Sequence, residues 1–329
     1  MAGLESHWYR ISPAHLILLP ISWLFGALAA LRRTLYRIHI LSSYRLPVPV
    51  IVIGNISVGG TGKTPLTLAL ARELVNHGHH PVIVSRGYGG HTQQQAVSPD
   101  SSAQQVGDEP LLMARRALCP VWVGRDRVAT ARLALQAHPH CDVVLCDDGL
   151  QHYRLQRDME IAVMDGVRGV GNGHLLPAGP LREPVSRLST VDAVVVNSGH
   201  ADSGQYAMQL SGTVFRNLLS PEKTALAGDF QGLHLHALAG IGHPQRFFDH
   251  LKSLGLTVST HAFPDHHPYS ADDLLFTDCD ALLLTEKDAV KCVAYADEKF
   301  WVLRVEAQID PALITQLLRK IATHGRKTA

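Results

Sequence analysis

The chain has 329 residues, enough for two domains with separate cores. Its 30 Lys and Arg stand against 29 Asp and Glu, so no global field draws it to nucleic acid. The five cysteines (Cys119, Cys141, Cys146, Cys279, Cys292) are odd in number and lack a CxxC spacing, which argues against a disulfide framework.

From Leu16 to Leu31 the chain is almost wholly apolar, and Arg32, Arg33 and Arg37 follow. A membrane-spanning helix needs roughly 20 apolar residues; this run is shorter and interrupted by Pro20. Ala27-Leu28-Ala29 resembles a signal cleavage site, but arginines directly after the run are unfavourable flanks. Export would also strand the next motif away from nucleotide. Residues 1–45 are therefore read as a membrane-associating helical segment, its apolar face in the acyl boundary and its arginines on anionic headgroups. A helix packed on the protein's own core is the bland alternative.

The apolar run Val48–Ile53 predicts a buried strand, and a helical pattern begins near Pro65. Between them lie Ser57, Val58, Gly59, Gly60, Thr61, Gly62, Lys63 and Thr64. Glycines there let backbone N–H groups close around an anion, and the helix points its positive end at the same place. Lys63 suits the β- and γ-phosphates, and the Thr64 hydroxyl suits Mg2+. Ser57 departs from the pattern, since it occupies the first glycine position. The segment is read as binding a nucleoside triphosphate.

Further strands are expected at Pro81–Ser85, Val121–Val123, Val143–Cys146, Ile161–Asp165 and Ala193–Asn197. Helices are expected at Pro65–His77, Pro110–Ala117 and Arg127–Ala137. The alternation predicts an α/β fold: a P-loop NTPase-like parallel sheet domain over residues 46–220. A second, smaller α/β domain is expected over 221–329, with strands at Leu233–Ile241, Thr257–Phe263, Ala281–Thr285 and Phe300–Val305. Its helices are expected near Pro244–Leu254, Ala271–Phe276 and, closing the chain, Pro311–Ala322. Met208–Phe215 and Phe300–Val305 are expected to pair as a two-strand hinge.

Asp147 and Asp148 end the Val143–Cys146 strand, where a phosphate-loop protein completes its Mg2+ shell. Adjacent strand residues face opposite ways, so one acid can hold the metal while the other orients Lys63. Asp108, at a helix start, is either an N-cap or an acceptor of a substrate proton. His266, in Asp265-His266-His267, can orient such a base. Arginine-bearing turns at Ser85–Gly90, Gly124–Arg127 and Leu176–Pro184 suit phosphate contact. Thr285-Glu286-Lys287-Asp288 places its lysine one residue late for guanine recognition, so GTP specificity is rejected.

SVGGTGKTP, SRGYGG, GDEP, CDDGLQHYRLQRD, LLPAGPLREP, FPDHH and TEKDAVK occur in this order over nearly the whole chain. The ordered set resembles the tetraacyldisaccharide 4'-kinase family of lipid A biosynthesis. The resemblance implies transfer of the ATP γ-phosphoryl, with Mg2+, to the 4'-hydroxyl of a tetraacylated glucosamine disaccharide 1-phosphate. It implies a peripheral enzyme on the cytoplasmic face of the Gram-negative inner membrane, its N-terminal helix on anionic lipid. It places the catalytic acid on Asp108, its partner on His266, the phosphate and Mg2+ residues on Lys63 and Thr64, and the paired acids on Asp147 and Asp148. The arginine and glutamate of LREP fall on Arg182 and Glu183. His243 stands where asparagine is expected. A membrane-cycling regulatory P-loop ATPase and a non-catalytic nucleotide-gated module are the competing readings, and no nucleic-acid or protein partner is evident.

Overall fold

The computed structural model describes residues 8–9, 13–88, 90 and 93–324. Gly89 of the Ser85–Gly90 turn and the extreme ends of the 1–45 and 221–329 segments lie outside the described residues.

Two sheets organise the chain. The first is built on β1 (Val50–Gly54), β2 (Pro81–Ser85), β3 (Gln95–Val97), β4 (Val121–Val123), β5 (Val143–Cys146), β6 (Met159–Asp165), β7 (Ala193–Asn197) and β8 (Tyr206–Ser211). Runs such as VIVIG and PVIVS are buried throughout. Strands covered on both faces have no reason to alternate polar with apolar, and parallel pairing follows. β5 and β6 flank β1 in parallel register, so the chain turns to either side of the first strand and leaves a crevice at its carboxyl end.

The second sheet holds β9 (Val214–Asn217), β10 (Thr224–Leu226), β11 (Leu235–Ala239), β12 (Val258–Ala262), β13 (Ala281–Thr285) and β14 (Phe300–Leu303). Its order is β10-β9-β14-β13-β11-β12. The chain then returns: β15 (Glu306–Ile309) pairs antiparallel with β8 at the edge of the first sheet. The last helix buries Leu313, Ile314 and Leu317 in the core that holds Leu66 and Leu70. Of the expected pairing of Met208–Phe215 with Phe300–Val305 only the end is found, Phe215 opposite Leu303, whereas Met208 pairs with Ile309 in the other sheet. In that same pairing Ser211 lies opposite Glu306.

Of the helices, α1 (Pro13–Arg37), α2 (Lys63–Asn76), α3 (Ala103–Val106), α4 (Asp108–Arg116), α5 (Arg127–Ala137), α6 (Pro244–Ser253), α7 (Glu286–Cys292) and α8 (Pro311–Ala322), two begin earlier than expected. α2 starts at Lys63 and α4 at Asp108, because proline is accommodated in the first turn, where its missing N–H bonds nothing. The helix expected near Ala271–Phe276 shrinks to a single turn, Asp272–Leu274. There the Asp273 carboxylate accepts the N–H and the hydroxyl of Ser270, and only Leu274 is buried. Local side-chain bonding of this kind competes with helix propagation.

α1 also differs from expectation, since it runs through Pro20 without a break. By length and composition Leu16–Arg37 is long enough to cross a membrane, so shortness does not argue against spanning. Its docking does. Ser22 Oγ donates to the Leu175 carbonyl at 2.7 Å, Arg33 lies 3.9 Å from Glu183, and the Tyr36 and Tyr153 rings stand 6.1 Å apart. A helix held along one side lies on the protein, while Ile17, Ile21, Trp23, Leu24 and Leu28 stay exposed.

Candidate active site at the first strand–helix turn

The loop after β1 is shaped by two glycines with φ of +97°, Gly59 and Gly62, a region that side-chain-bearing residues avoid. Ser57 is instead bridged to Leu181 in an antiparallel contact, and the Val58 N–H donates to the Pro180 carbonyl at 2.9 Å. An extended residue needs no glycine, which explains why serine is tolerated there. The loop is braced from several sides. Asn197 Nδ2 donates to the Thr61 carbonyl at 3.0 Å, and Asn55 Nδ2 reaches Thr61 Oγ1 at 3.3 Å. Arg168 donates to the Gly60 carbonyl at 2.8 Å and to the Gly242 carbonyl at 3.3 Å, tying the loop to the second sheet. Asp165 holds that arginine at 3.0 Å and Arg246 at 2.8 Å.

At the floor, Lys63 Nζ lies 3.5 Å from Asp148 Oδ1, and Arg182 Nη1 is 3.4 Å from the same oxygen. Burial pushes the Asp148 carboxyl up, but Lys63, Arg182 and Arg127 outweigh it and hold it below the ordinary aspartate value. Asp147 is fully buried and faces the other way, accepting from Thr67 Oγ1 at 3.2 Å and Ser85 Oγ at 3.4 Å. Burial, then the Glu109 and Asp148 charges, push it up to about 7. The two acids therefore have distinct surroundings, as their strand-end positions imply.

Across the cleft, Asp108 opens α4 and His266 sits in the loop after β12. His266 Nδ1 is 3.1 Å from Asp108 Oδ2, so the acid and the imidazole meet across the two sheets. His266 adopts φ of +61°, a strained conformation for a non-glycine residue. Its other nitrogen is 3.2 Å from Lys287 Nζ, and that lysine also contacts Glu109 at 3.2 Å and Asp265 at 2.9 Å. A cavity of about 190 Å³ joins Lys63 and Thr64 to Glu109, Lys287 and His243. The His243 Nδ1 is buried there without a protein partner among the described residues. Burial, then Arg168 and Arg246, lower its pKa and keep the ring neutral.

Arg182 and Glu183 part company. Arg182 reaches the site, whereas Glu183 is buried and accepts from Gln151 at 2.7 Å, Tyr153 at 2.7 Å and Arg187 at 3.2 Å. Those bonds fix the LREP turn beneath α1. Sequence reasoning missed Arg168, Asn197, Asn55 and the Lys287 contacts; Arg168 and Asn197 act over long sequence separations that periodicity does not record, whereas Asn55 braces its own loop from six residues before Thr61.

His152, two residues beyond Leu150 in the same loop as the paired acids, is half-buried, with Nε2 unpartnered among the described residues. Burial, then Arg127 and Arg157, lower it from 6.5 to about 4. The folded state thus favours the neutral ring. This stabilisation is complete above pH 6.5 and is lost as pH falls towards 4, because the unfolded chain takes the proton first. After allowance for solvent screening the effect is about 1–2 kcal/mol. Thermal melts of His152→Gln should show a flatter slope between pH 4 and 6.5 than the parent; parallel curves would contradict the assignment.

Comparison with known proteins identifies the family. The family model described as tetraacyldisaccharide-1-P 4'-kinase matches residues 14–322. The tetraacyldisaccharide 4'-kinase of Methylobacillus flagellatus is 51% identical over 321 residues, covering 97% of this chain and 95% of that protein. Its counterpart from Azoarcus sp. is 49% identical, covering 100% and 98%. The crystal structure of LpxK from Aquifex aeolicus in complex with ATP superposes with a TM-score of 0.79 at 30% identity, covering 94% of this chain and 99% of that one. These matches disfavour the membrane-cycling ATPase alternative. The chain belongs to the tetraacyldisaccharide-1-P 4'-kinase family.

Proposed function

We propose that this chain transfers the γ-phosphoryl of ATP to the 4'-hydroxyl of a tetraacyldisaccharide 1-phosphate. The observation that carries the reading is the Asp108–His266 contact, set beside a phosphate loop whose lysine faces the paired acids. Phosphoryl transfer asks mainly for in-line positioning and charge neutralisation. The loop N–H groups and Lys63 hold the β- and γ-phosphates. Arg182, next to Asp148, neutralises charge on the transferring group. Asp108 accepts the proton of the sugar hydroxyl, and His266 orients it.

The donor set suits Mg2+: the Thr64 hydroxyl lies in the first turn of α2, and Asp147 is a buried carboxylate with no cation within ion-pair distance among the described residues. Among the described residues no three His, Cys, Asp or Glu side chains converge as a metal cluster. A phosphate-bound Mg2+ needs only one or two protein carboxylates. When bound, the ion supplies charge neutralisation between the β- and γ-phosphates. Thr64 and Asp147 would hold it, with Asp148 orienting Lys63.

A second cleft, of about 690 Å³, runs between α1 and the loop carrying Arg182. Phe25, Leu28 and Leu175 give it an apolar wall, and Arg86, Gln151 and Arg182 a polar one. That division fits acyl chains against α1 and the sugar beside Arg182. The exposed apolar residues of α1, followed by Arg32 and Arg33, support a peripheral site on the cytoplasmic face of the inner membrane. We read residues 1–45, 46–220 and 221–329 as membrane-associating, nucleotide-binding and closing segments, with β15 and α8 returned to the first sheet. The nucleotide cavity, of about 190 Å³, is lined by the phosphate loop on one side and by the second sheet's His243 and Lys287 on the other.

The test is incubation with γ-labelled ATP, Mg2+ and the tetraacyl disaccharide 1-phosphate in detergent micelles. Label should appear on the lipid. ATP hydrolysis with no labelled lipid would leave only an ATPase.

A further inference from the structure

We propose that Lys287 is a positioning residue whose ammonium fixes His266 in the neutral Nδ1–H tautomer that faces Asp108. The inference rests on the reading of Asp108 as the proton acceptor. An ammonium has three donors and no acceptor, so a lysine 3.2 Å from an imidazole nitrogen demands a lone pair there. His266 Nε2 must then be unprotonated. The ring's remaining proton sits on Nδ1, where it donates to Asp108 Oδ2 at 3.1 Å.

Lys287 is well placed to stay charged. Burial alone would lower its ammonium, but Glu109 and Asp265 outweigh it and hold it above the ordinary lysine value. The Asp265 carboxylate is 3.9 Å from His266 Nε2, beyond a hydrogen bond, and is 2.9 Å from Lys287 instead. It serves the lysine, not the imidazole. The remaining neighbours are the Tyr88 ring, 5.2 Å from the His266 ring, and Lys291, 4.0 Å from Asp108.

The tautomer decides where the proton goes. With Nδ1 already carrying hydrogen, His266 cannot relieve Asp108 of a proton through the shared contact. The sugar O–H bond breaks and the proton comes to rest on the Asp108 carboxylate. The sugar oxygen bonds phosphorus, and the β–γ bridging bond breaks to release ADP. His266 keeps its own proton throughout and orients the Asp108 carboxylate.

Two measurements test this. The first is nitrogen-15 NMR of the full-length protein in micelles, with the His266 signal assigned by its loss in His266→Gln. A pyridine-like Nε2 and a pyrrole-like Nδ1 are expected, and an Nε2–H tautomer overturns the proposal without any variant of Lys287. The second is Lys287→Met. Its turnover at pH 7 should fall by up to about a hundredfold, with KM for ATP unchanged. Its nitrogen-15 spectrum should show the preference of His266 for the Nδ1–H tautomer lost. Lys287→Arg should restore part of the rate and return the tautomer towards the parent. A raised KM for ATP with an unchanged His266 tautomer would make Lys287 a phosphate contact and overturn the proposal. Full activity in Asp108→Asn would defeat the proton-acceptor reading instead, leaving the tautomer to be decided by its own spectrum.

Discussion

Lys63→Ala should lower kcat/KM for ATP by about a thousandfold while leaving the fold intact. The lysine opens α2 at the mouth of the loop, and only 11% of its side chain is exposed. Its ammonium stands 3.5 Å from Asp148, whose own position is shared with Arg182 at 3.4 Å. Truncation removes the point charge nearest the transferring group and leaves Arg182 and Arg127 as the cations acting on Asp148. Because the arginines still compensate that acid, the loss should fall on phosphate binding and transfer more than on stability. Initial rates across ATP concentration, with a thermal melt as control, separate the two. ATP held and consumed at parental levels would remove the basis for assigning a phosphate site here.

Asp108→Asn should cost turnover about a hundred- to ten-thousandfold, the usual worth of a positioned proton acceptor. The amide keeps the shape and can still accept from His266 through its carbonyl oxygen, but it has no basic site for the sugar proton. His266→Ala should be milder, about ten- to a hundredfold, because it removes orientation and not the acceptor. Neither residue lies on the phosphate loop, so KM for ATP should change little in either variant. Equal losses of ATP affinity in both would mean that the pair shapes the nucleotide cavity. An unchanged rate in Asp108→Asn would return Asp108 to a simple helix-start residue.

Much of the first sheet is legible in the residues. β1, β2, β5 and β7 are runs of five or fewer apolar side chains ending at a turn, and burial on both faces leaves them no polar alternation to obscure. The phosphate loop is equally plain, since glycine conformations and a lysine are local needs. Asp108 and His266 are each weak signals alone, with 158 positions between them, and the ordered motifs are what make their pairing specific. Lys287 was seen only as a failed guanine reader; nothing in its spacing points to an imidazole 21 residues away. Glu183 illustrates the opposite failure. Its motif marks it beside Arg182, yet three donors close around it, a fact of packing that neighbouring letters do not carry. Pro20 misled for a related reason, since one missing donor does not end a helix of 25 residues.

The chain passes between its two sheets twice, from β8 to β9 and from β14 to β15, and both passages lie side by side in one antiparallel ribbon. The covalent attachment of Gly242, His266 and Lys287 to the first sheet therefore runs through that one ribbon. A residue inserted into either crossing should disturb the alignment of His266 with Asp108 without touching either side chain.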